Sequence, residues 1–309
     1  MTIPVLDSRQ HVPEALRGAI VALGNFDGFH LGHQAVVREA ISWARAEGRP
    51  AIVATFDPHP RRFFVPDLPW LRLTTLDQRR DLFAAAGADA MLVIAFDAGV
   101  ARMTGPEWIE QAIHLQFGAA GVVTGEDFTF GAQRSGTTAA LAEIGARFAV
   151  RARTVGPVLD DGLPVSSTRI RSALQEGDCA TATRLLSRPF TVRGVVEHGD
   201  KLGRTIGYPT ANLSMDHYLR PRYGVYAVKG RLPDGRVLDG AANLGVRPMF
   251  EPPKELLEPH FFGDAGSLYG QEIAVEFHHF LRGEAKFGGL DELTAQIERD
   301  CAAAQALLA

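Results

Sequence analysis

The sequence predicts an α/β doubly wound parallel sheet followed by a small antiparallel β-barrel and a C-terminal helix. Three observations predict it. Through the first 186 residues, short apolar runs alternate with segments of helical periodicity, the pattern of parallel strands joined by crossover helices. From about Phe190 onward, alternating strands are separated by glycine turns with no helix between them, which suits a small closed barrel. The chain then ends in a segment from about Asp291 to Leu307 with acidic residues in its first turn, as a helix dipole prefers.

The first strand reads at Ala19-Ile20-Val21-Ala22-Leu23, an apolar run suited to burial on both faces. It leads through Gly24-Asn25-Phe26-Asp27-Gly28-Phe29-His30-Leu31-Gly32-His33 into a helix from about Gln34 to Glu47. There Val36, Val37, Ala40, Ile41 and Ala44 recur at helical spacing. A second strand, Ala51 to Phe56, ends in Asp57-Pro58-His59-Pro60, whose two prolines predict an extended loop at the carboxyl edge of the sheet. Further strands read at about Ala90 to Phe96, Gly121 to Thr124 and Ala149 to Val155, with helices at about Thr75 to Ala86, Gly105 to Phe117 and Thr137 to Phe148. A helical connector, about Asp178 to Leu186, leads to Arg188-Pro189-Phe190, so the domains are expected at 1–186 and 187–309. In the second domain strands read at about Phe190 to Val196, Tyr223 to Lys229, Val237 to Asn243 and Glu272 to Phe280, with a Pro233-Asp234-Gly235 turn.

At 309 residues the chain has room for two domains, each with its own core. Its 46% hydrophobic and 22% charged residues are those of a folded protein rather than a disordered one. A net charge of −4 gives no general attraction for nucleic acid, so any anion binding has to be local. Cys179 and Cys301 are too few and too far apart for a disulfide framework or a zinc site. The start, Met1 to Asp7, lacks a basic stretch followed by an apolar core, and no apolar run approaches a membrane span. A cytoplasmic protein without nucleic-acid or membrane partners is expected.

Ligands of open α/β sheets collect beyond the carboxyl ends of the strands. A helix N-terminus there offers backbone N–H groups and a positive dipole end to phosphate. The decapeptide Gly24 to His33 lies at such a place, with neither a G-x-G-x-x-G after the strand nor a Walker A loop. If the helix has begun, His30 and His33 share one face, and Gly32 between them permits close approach. Two imidazoles there can donate to a polyphosphate. Taken alone, the pair also fits surface or capping histidines, or a zinc pair, although no further ligand cluster lies nearby. Three other segments fall among the candidates: Asp57 to Pro60, Gly125-Glu126-Asp127-Phe128-Thr129-Phe130-Gly131, and Val165-Ser166-Ser167-Thr168-Arg169-Ile170-Arg171. Phe128 and Phe130 suit a flat ring or ordinary core packing. The hydroxyls of the last segment can cap a helix, and Arg171 can reach a phosphate or stay solvated.

The decapeptide resembles the H-x-G-H signature of the nucleotidyltransferase superfamily, in the form G-x-F-D-G-x-H-x-G-H of bacterial flavin adenylyltransferases. T-F-D-P-H-P, G-E-D-F-T-F-G and V-S-S-T-R-I-R follow in the order and approximate spacing of the bacterial bifunctional riboflavin kinase/FAD synthetase family. The resemblance covers essentially the whole chain. It implies an H-x-G-H nucleotidyltransferase-like first domain, with His30, His33 and Arg171 acting on the departing pyrophosphate. Gly24, Phe26, Asp27, Gly32, Ser167 and Thr168 would then contact ATP, and Asp57, Asp127, Phe128 and Phe130 the flavin. Asp127 stands where the family often has Asn.

In the second part, Gly199-Asp200-Lys201-Leu202-Gly203-Arg204 is a glycine-flanked loop with two cations, suited to covering phosphates or, by itself, a hairpin loop with solvated charge. Gly203 and Arg204 are its candidate ATP contacts. Gly207-Tyr208-Pro209-Thr210-Ala211-Asn212 resembles the P-T-A-N motif of riboflavin kinases, in which Thr and Asn hold Mg2+ on the ATP phosphates. Alone, it is a Thr in a strand and an Asn at a turn. The resemblance also implies that Glu258, placed before Leu268-Tyr269-Gly270, is the base on the ribityl 5′-hydroxyl. Glu251 and Glu255 read as solvated residues of a proline- and charge-rich loop. Arg247 is a candidate flavin contact; Met249 stands where the family usually has Thr, and Gly263 and Ser267 replace acidic residues.

The expectation is a bifunctional enzyme that phosphorylates riboflavin to FMN and adenylylates FMN to FAD, using ATP with Mg2+. Two alternatives stay open. One is an adenylyltransferase of the same superfamily with another acceptor, pantetheine phosphate or nicotinamide mononucleotide. The other is a flavin-binding regulatory protein with lost or weak kinase activity.

Overall fold

The computed structural model describes residues 2–198, 207–247 and 254–309. By its contacts the chain divides into two compact units, residues 1–69 with 75–166, and residues 70–74 with 167–309.

The first unit is built on six parallel strands: β1 Val5–Asp7, β2 Ile20–Leu23, β3 Ala51–Asp57, β4 Ala90–Ala95, β5 Gly121–Gly125 and β6 Arg151–Val155. Their spatial order is β1-β4-β3-β2-β5-β6. The chain winds from β2 outward through β3 to β4, then returns to the other side of β2 for β5, so the topological switch lies between β2 and β5. Helices α1 Leu31–Ala46, α2 Pro60–Phe64, α3 Leu76–Ala86, α4 Ala98–Arg102, α5 Gly105–Glu107 with its π-helical continuation Trp108–Gln116, and α6 Thr138–Ala146 fill the crossovers. Alternate residues of β2 serve opposite faces. Ile20 and Ala22 pack with Val37 of α1 and Phe83 of α3. Val21 and Leu23 pack with Trp108 and Ile109 of the π-helical segment and Leu141 of α6. That two-sided burial is why the strand is an unbroken apolar run.

The second unit begins with α7 Ser167–Glu176 and α8 Cys179–Leu186. Its six antiparallel strands are β9 Phe190–Val195, β10 Leu213–Ser214, β11 Gly224–Arg231, β12 Val237–Arg247, β13 Lys254–Phe261 and β14 Glu272–Arg282, ordered β10-β13-β12-β11-β14-β9. A bridge between Glu197 and Asn212, with the Glu197 N–H donating to the Asn212 carbonyl at 2.8 Å, joins the two edges into a nearly closed barrel. The C-terminal helix, α9 Leu290–Leu308, lays Ala304 against Ala227 and Ala241 on the outside of the barrel.

Several elements differ from the sequence expectation. β1 is three residues long, too short to carry a period, and its partner β4 is far along the chain. The loop expected over Asp57 to Pro60 gives way at Pro60 to a helix, Pro60–Phe64: Pro60 occupies the first helical position, where its missing N–H is not needed, and His59 caps it, its Nδ1 accepting from the Arg61 N–H at 3.1 Å. α7 and α8, expected in the first domain, cluster with the second unit. The buried side of α8, Cys179, Ala182, Leu185 and Leu186, accounts for this, since α8 packs on β9 and β14. Strand β13 was not expected, because the stretch around Glu251 and Glu255 read as a proline- and charge-rich loop; the Ala211 N–H donates to the Pro259 carbonyl within it.

α9 is held by a paired charge. Arg282 of β14 donates from Nε and Nη2 to the Asp300 carboxylate, at 3.0 and 2.7 Å for the closest contacts, and Gln296 adds a 2.8 Å bond. Asp300 is 9% exposed. Replacing Asp300 by Ala leaves the guanidinium without its carboxylate, and we expect about 2 kcal/mol of lost stability, read as a lower unfolding midpoint.

Candidate functional sites

The turn between β2 and α1 starts from an ordinary strand hydrogen bond, Gly24 N–H to the Ala54 carbonyl at 3.2 Å. It then takes left-handed backbone at Phe26 (φ 47°), Gly28 (φ 86°) and Phe29 (φ 43°). Phe26 and Asp27 were read as nucleotide contacts; both side chains are buried, and Phe26 packs edge-on to Phe83 and His33. What these two residues can offer a phosphate is main chain. A side chain at Gly24 would lie 3.1 Å from the Phe26 ring, so the glycine makes room for that inward turn.

His30 is the N-cap of α1. Its Nδ1 accepts the His33 backbone N–H at 3.3 Å, and the two imidazoles stack with centroids 3.6 Å apart. The capping reading of the histidine is therefore correct, and it does not compete with the phosphate reading. An accepting Nδ1 puts the proton of the neutral ring on Nε2. Gly32 is needed for this arrangement, because a Cβ there would meet the His30 ring at 3.2 Å and the Val165 carbonyl at 3.5 Å. Among the described residues no three His, Cys, Asp or Glu side chains converge as a metal site.

The flavin candidates divide. Phe130 is buried between Trp108, 5.3 Å away centroid to centroid, and Gly136, where a side chain would collide with the ring. It is a core residue that backs Phe128, stacked on it at 5.9 Å and 23°. Asp127 is exposed, and Asp57 is half-buried at the end of β3. Reading the sequence missed a second aromatic surface. Phe63 and Phe64 of α2 meet Phe96 edge-on at 5.4 and 5.8 Å, and Phe64 is 64% exposed. The signal was present as two phenylalanines directly after D-P-H-P-R-R. Ser167 and Thr168 open α7, and Arg171, one turn on, donates from Nε to the Leu71 carbonyl at 2.8 Å.

In the barrel, the sheet brings distant residues into one row. Asn243 of β12 pairs directly with Glu258 of β13, and continuing the Leu213–Leu257 pairing by one residue sets Asn212 opposite Glu258 on its other side. Residues directly opposite in antiparallel strands share a face. Leu213, Leu257 and Leu244 fill the interior, so Asn212, Glu258 and Asn243 lie on the other face. Thr210 precedes Asn212 by two residues, just ahead of β10. The segment is pinned by Ala211 N–H to the Pro259 carbonyl and by a 2.9 Å bond between the Pro209 carbonyl and His260 Nδ1.

Glu255 requires a correction. It lies in β13, not in a solvated loop, and is paired with Arg220 (Nε to Oε2, 2.6 Å) and with the Tyr223 hydroxyl. Burial pushes its carboxyl up, but the hydrogen bonds from Arg220 and Tyr223 outweigh that and hold it below its ordinary value. Committed in this way, it is no candidate base. Gly203, Arg204, Met249 and Glu251 lie outside the described residues, as does the side chain of Arg247. Gly263 has φ 93°, a backbone that glycine adopts without strain, which suits its standing where an acidic residue is usual. Burial pushes the Cys179 thiol up to about 12 and the Cys301 thiol up to about 11.

A histidine-capped helix start at the switch point of a parallel sheet, with a separate barrel carrying a carboxylate between two asparagines, defines a two-site nucleotide-using transferase. The comparisons agree. The FAD synthetase family matches residues 12–169 and the riboflavin kinase family residues 186–308. The chain belongs to the bifunctional riboflavin kinase/FMN adenylyltransferase family. It is 39% identical to the Haemophilus influenzae protein of that name over 94% of both chains. It is 36% identical to that of Escherichia coli K12, over 92% of this chain and 90% of the other. A solved Streptococcus pneumoniae structure, described as a macrolide-efflux protein, is 30% identical and superposes with a TM-score of 0.86, covering 96% of this chain and 97% of that one. Among the described residues, no helix here is long and apolar enough to cross a membrane.

The two roles of His30 can be separated. His30→Ala removes the cap and should cost about 1 kcal/mol, whereas His30→Asn keeps a capping acceptor and should unfold near the wild-type temperature. Thermal unfolding of the two variants checks this.

Proposed function

We propose that this chain phosphorylates riboflavin to FMN with ATP and then transfers AMP from a second ATP to FMN, releasing pyrophosphate. Residues 187–309 are assigned to phosphorylation and residues 1–186 to adenylyl transfer. The observation that carries the reading is the row Asn212–Glu258–Asn243 in the barrel of the same chain whose sheet ends in the His30 cap.

In the kinase half, Glu258 orients the ribityl 5′-hydroxyl and takes its proton late in transfer. Thr210 and Asn212 supply a hydroxyl and an amide oxygen, hard neutral donors that fit Mg2+ whose remaining ligands are phosphate and water. When bound, that ion draws charge from the transferring phosphate. In the transferase half, Nε2–H of His30 and the ring of His33 stabilise charge on the departing pyrophosphate, with the N–H groups of the turn beside them. Ser167, Thr168 and Arg171 keep the roles that their motif implies. Phe128 and the exposed Phe64 present faces on which an isoalloxazine ring can stack. Neither half needs a covalent enzyme intermediate.

Product chromatography separates the halves. Glu258→Gln should abolish FMN formation from riboflavin and spare FAD formation from supplied FMN. His30→Asn should do the reverse, lowering FAD formation by about a hundredfold or more while FMN accumulates. Equal damage to both reactions by both folded variants would refute the division of labour. Phe64→Ser should raise the KM for FMN by about tenfold, with riboflavin phosphorylation unchanged.

A further inference from the structure

Arg79 sits in the middle of α3, in a Gln-Arg-Arg run with nothing in the sequence to set it apart from a solvated charge. In the fold it is only 3% exposed. Arginine is rarely buried unless its charge and donors are used. Here Nη1 donates to Thr55 Oγ1 at 2.9 Å and lies 3.4 Å from the Asn25 carbonyl, which also accepts from the Thr55 hydroxyl at 2.6 Å. Nη2 lies 3.9 Å from Oδ1 of Asp27, itself 2% exposed. One guanidinium thus bonds a strand hydroxyl, lies against a turn carbonyl and sets its charge beside a turn carboxylate.

One helical turn further along α3, Phe83 meets the rings of Phe26 and Phe29 edge-on, at 5.9 and 5.2 Å. Residues four apart share a helix face. The same face of α3 therefore grips the turn twice, by charge at Asn25 and Asp27 and by packing at Phe26 and Phe29. The two gripped phenylalanines are the two non-glycine residues of this turn with left-handed backbone. Such backbone persists where its surroundings over-determine it.

We propose that Arg79 is a positioning residue for adenylyl transfer: it fixes the backbone of the Gly24–His30 turn, and through it the direction in which N–H groups and the His30 ring meet the triphosphate. This rests on the reading of the turn as the ATP site. The planar fork matters, because Nη1 meets the Thr55 hydroxyl and the Asn25 carbonyl while Nη2 faces the Asp27 carboxylate, and a lone ammonium has no second arm to face it. Paired with Asp27, the cation acts through geometry rather than by binding phosphate itself.

The test uses the full chain, with riboflavin phosphorylation as an internal measure of folded enzyme. Arg79→Lys should raise the KM for ATP in FAD formation by about tenfold or more, leaving riboflavin phosphorylation at the wild-type rate. A purely structural arginine would lower the unfolding temperature and the amount of active enzyme, but leave that KM unchanged; this result overturns the proposal. Thr55→Val, which keeps the side-chain shape and removes the bridging hydroxyl, should shift the same KM in the same direction. It decides the matter if Arg79→Lys does not fold, and an unshifted KM there is equally fatal. Wild-type enzyme that makes FMN but no FAD would instead remove the reading of the turn, and the proposal with it.

Discussion

The turn that joins β2 to α1 has to do two things that oppose one another. In the proposed reading it brings backbone N–H groups and an imidazole to a phosphate, and it buries two phenylalanine rings, Phe26 and Phe29. The second demand forces left-handed backbone at Phe26 and Phe29. Much of the first unit answers that strain. Gly24 clears the Phe26 ring, Gly32 clears the His30 ring, and Gln34 of α1 reaches back to donate to the Phe29 carbonyl at 2.9 Å. The hydrophobic layer of α1 and α3 then supports the rings from below. A turn without these supports would relax, and the helix start would lose its aim.

The barrel solves a different problem. In the proposed kinase reading its carboxylate stands close to neutral oxygen donors. Pairing register provides this: Glu258 is flanked by asparagines, while Glu255, three residues earlier, is given to Arg220 and Tyr223. Two glutamates of one strand acquire different chemistry because one faces a row of amides and the other a guanidinium. Strand alternation separates the two environments.

Much of this was legible in the chain. The apolar runs of β2, β3 and β4 announce strands covered on both sides, and the decapeptide announces a helix start at their carboxyl edge. The glycine-punctuated second half announces a barrel. What could not be read was anything resting on a partner remote in sequence. β1 exists through β4, and the position of α8 follows from β14. Phe130 and Phe128 look alike in G-E-D-F-T-F-G, yet one is wedged between Trp108 and Gly136 and the other is half-exposed.

By itself, then, the sequence determined the two architectures and the family. Periodicity and turn residues act over a few neighbours, and motifs are local by nature. Tertiary structure alone decided which charges are buried and which carboxylate Arg220 and Tyr223 take. Those outcomes depend on desolvation and on pairing across the fold, as with Arg79 beside Thr55 and Asp27, and Glu255 beside Arg220. Neither property belongs to any single segment of the chain.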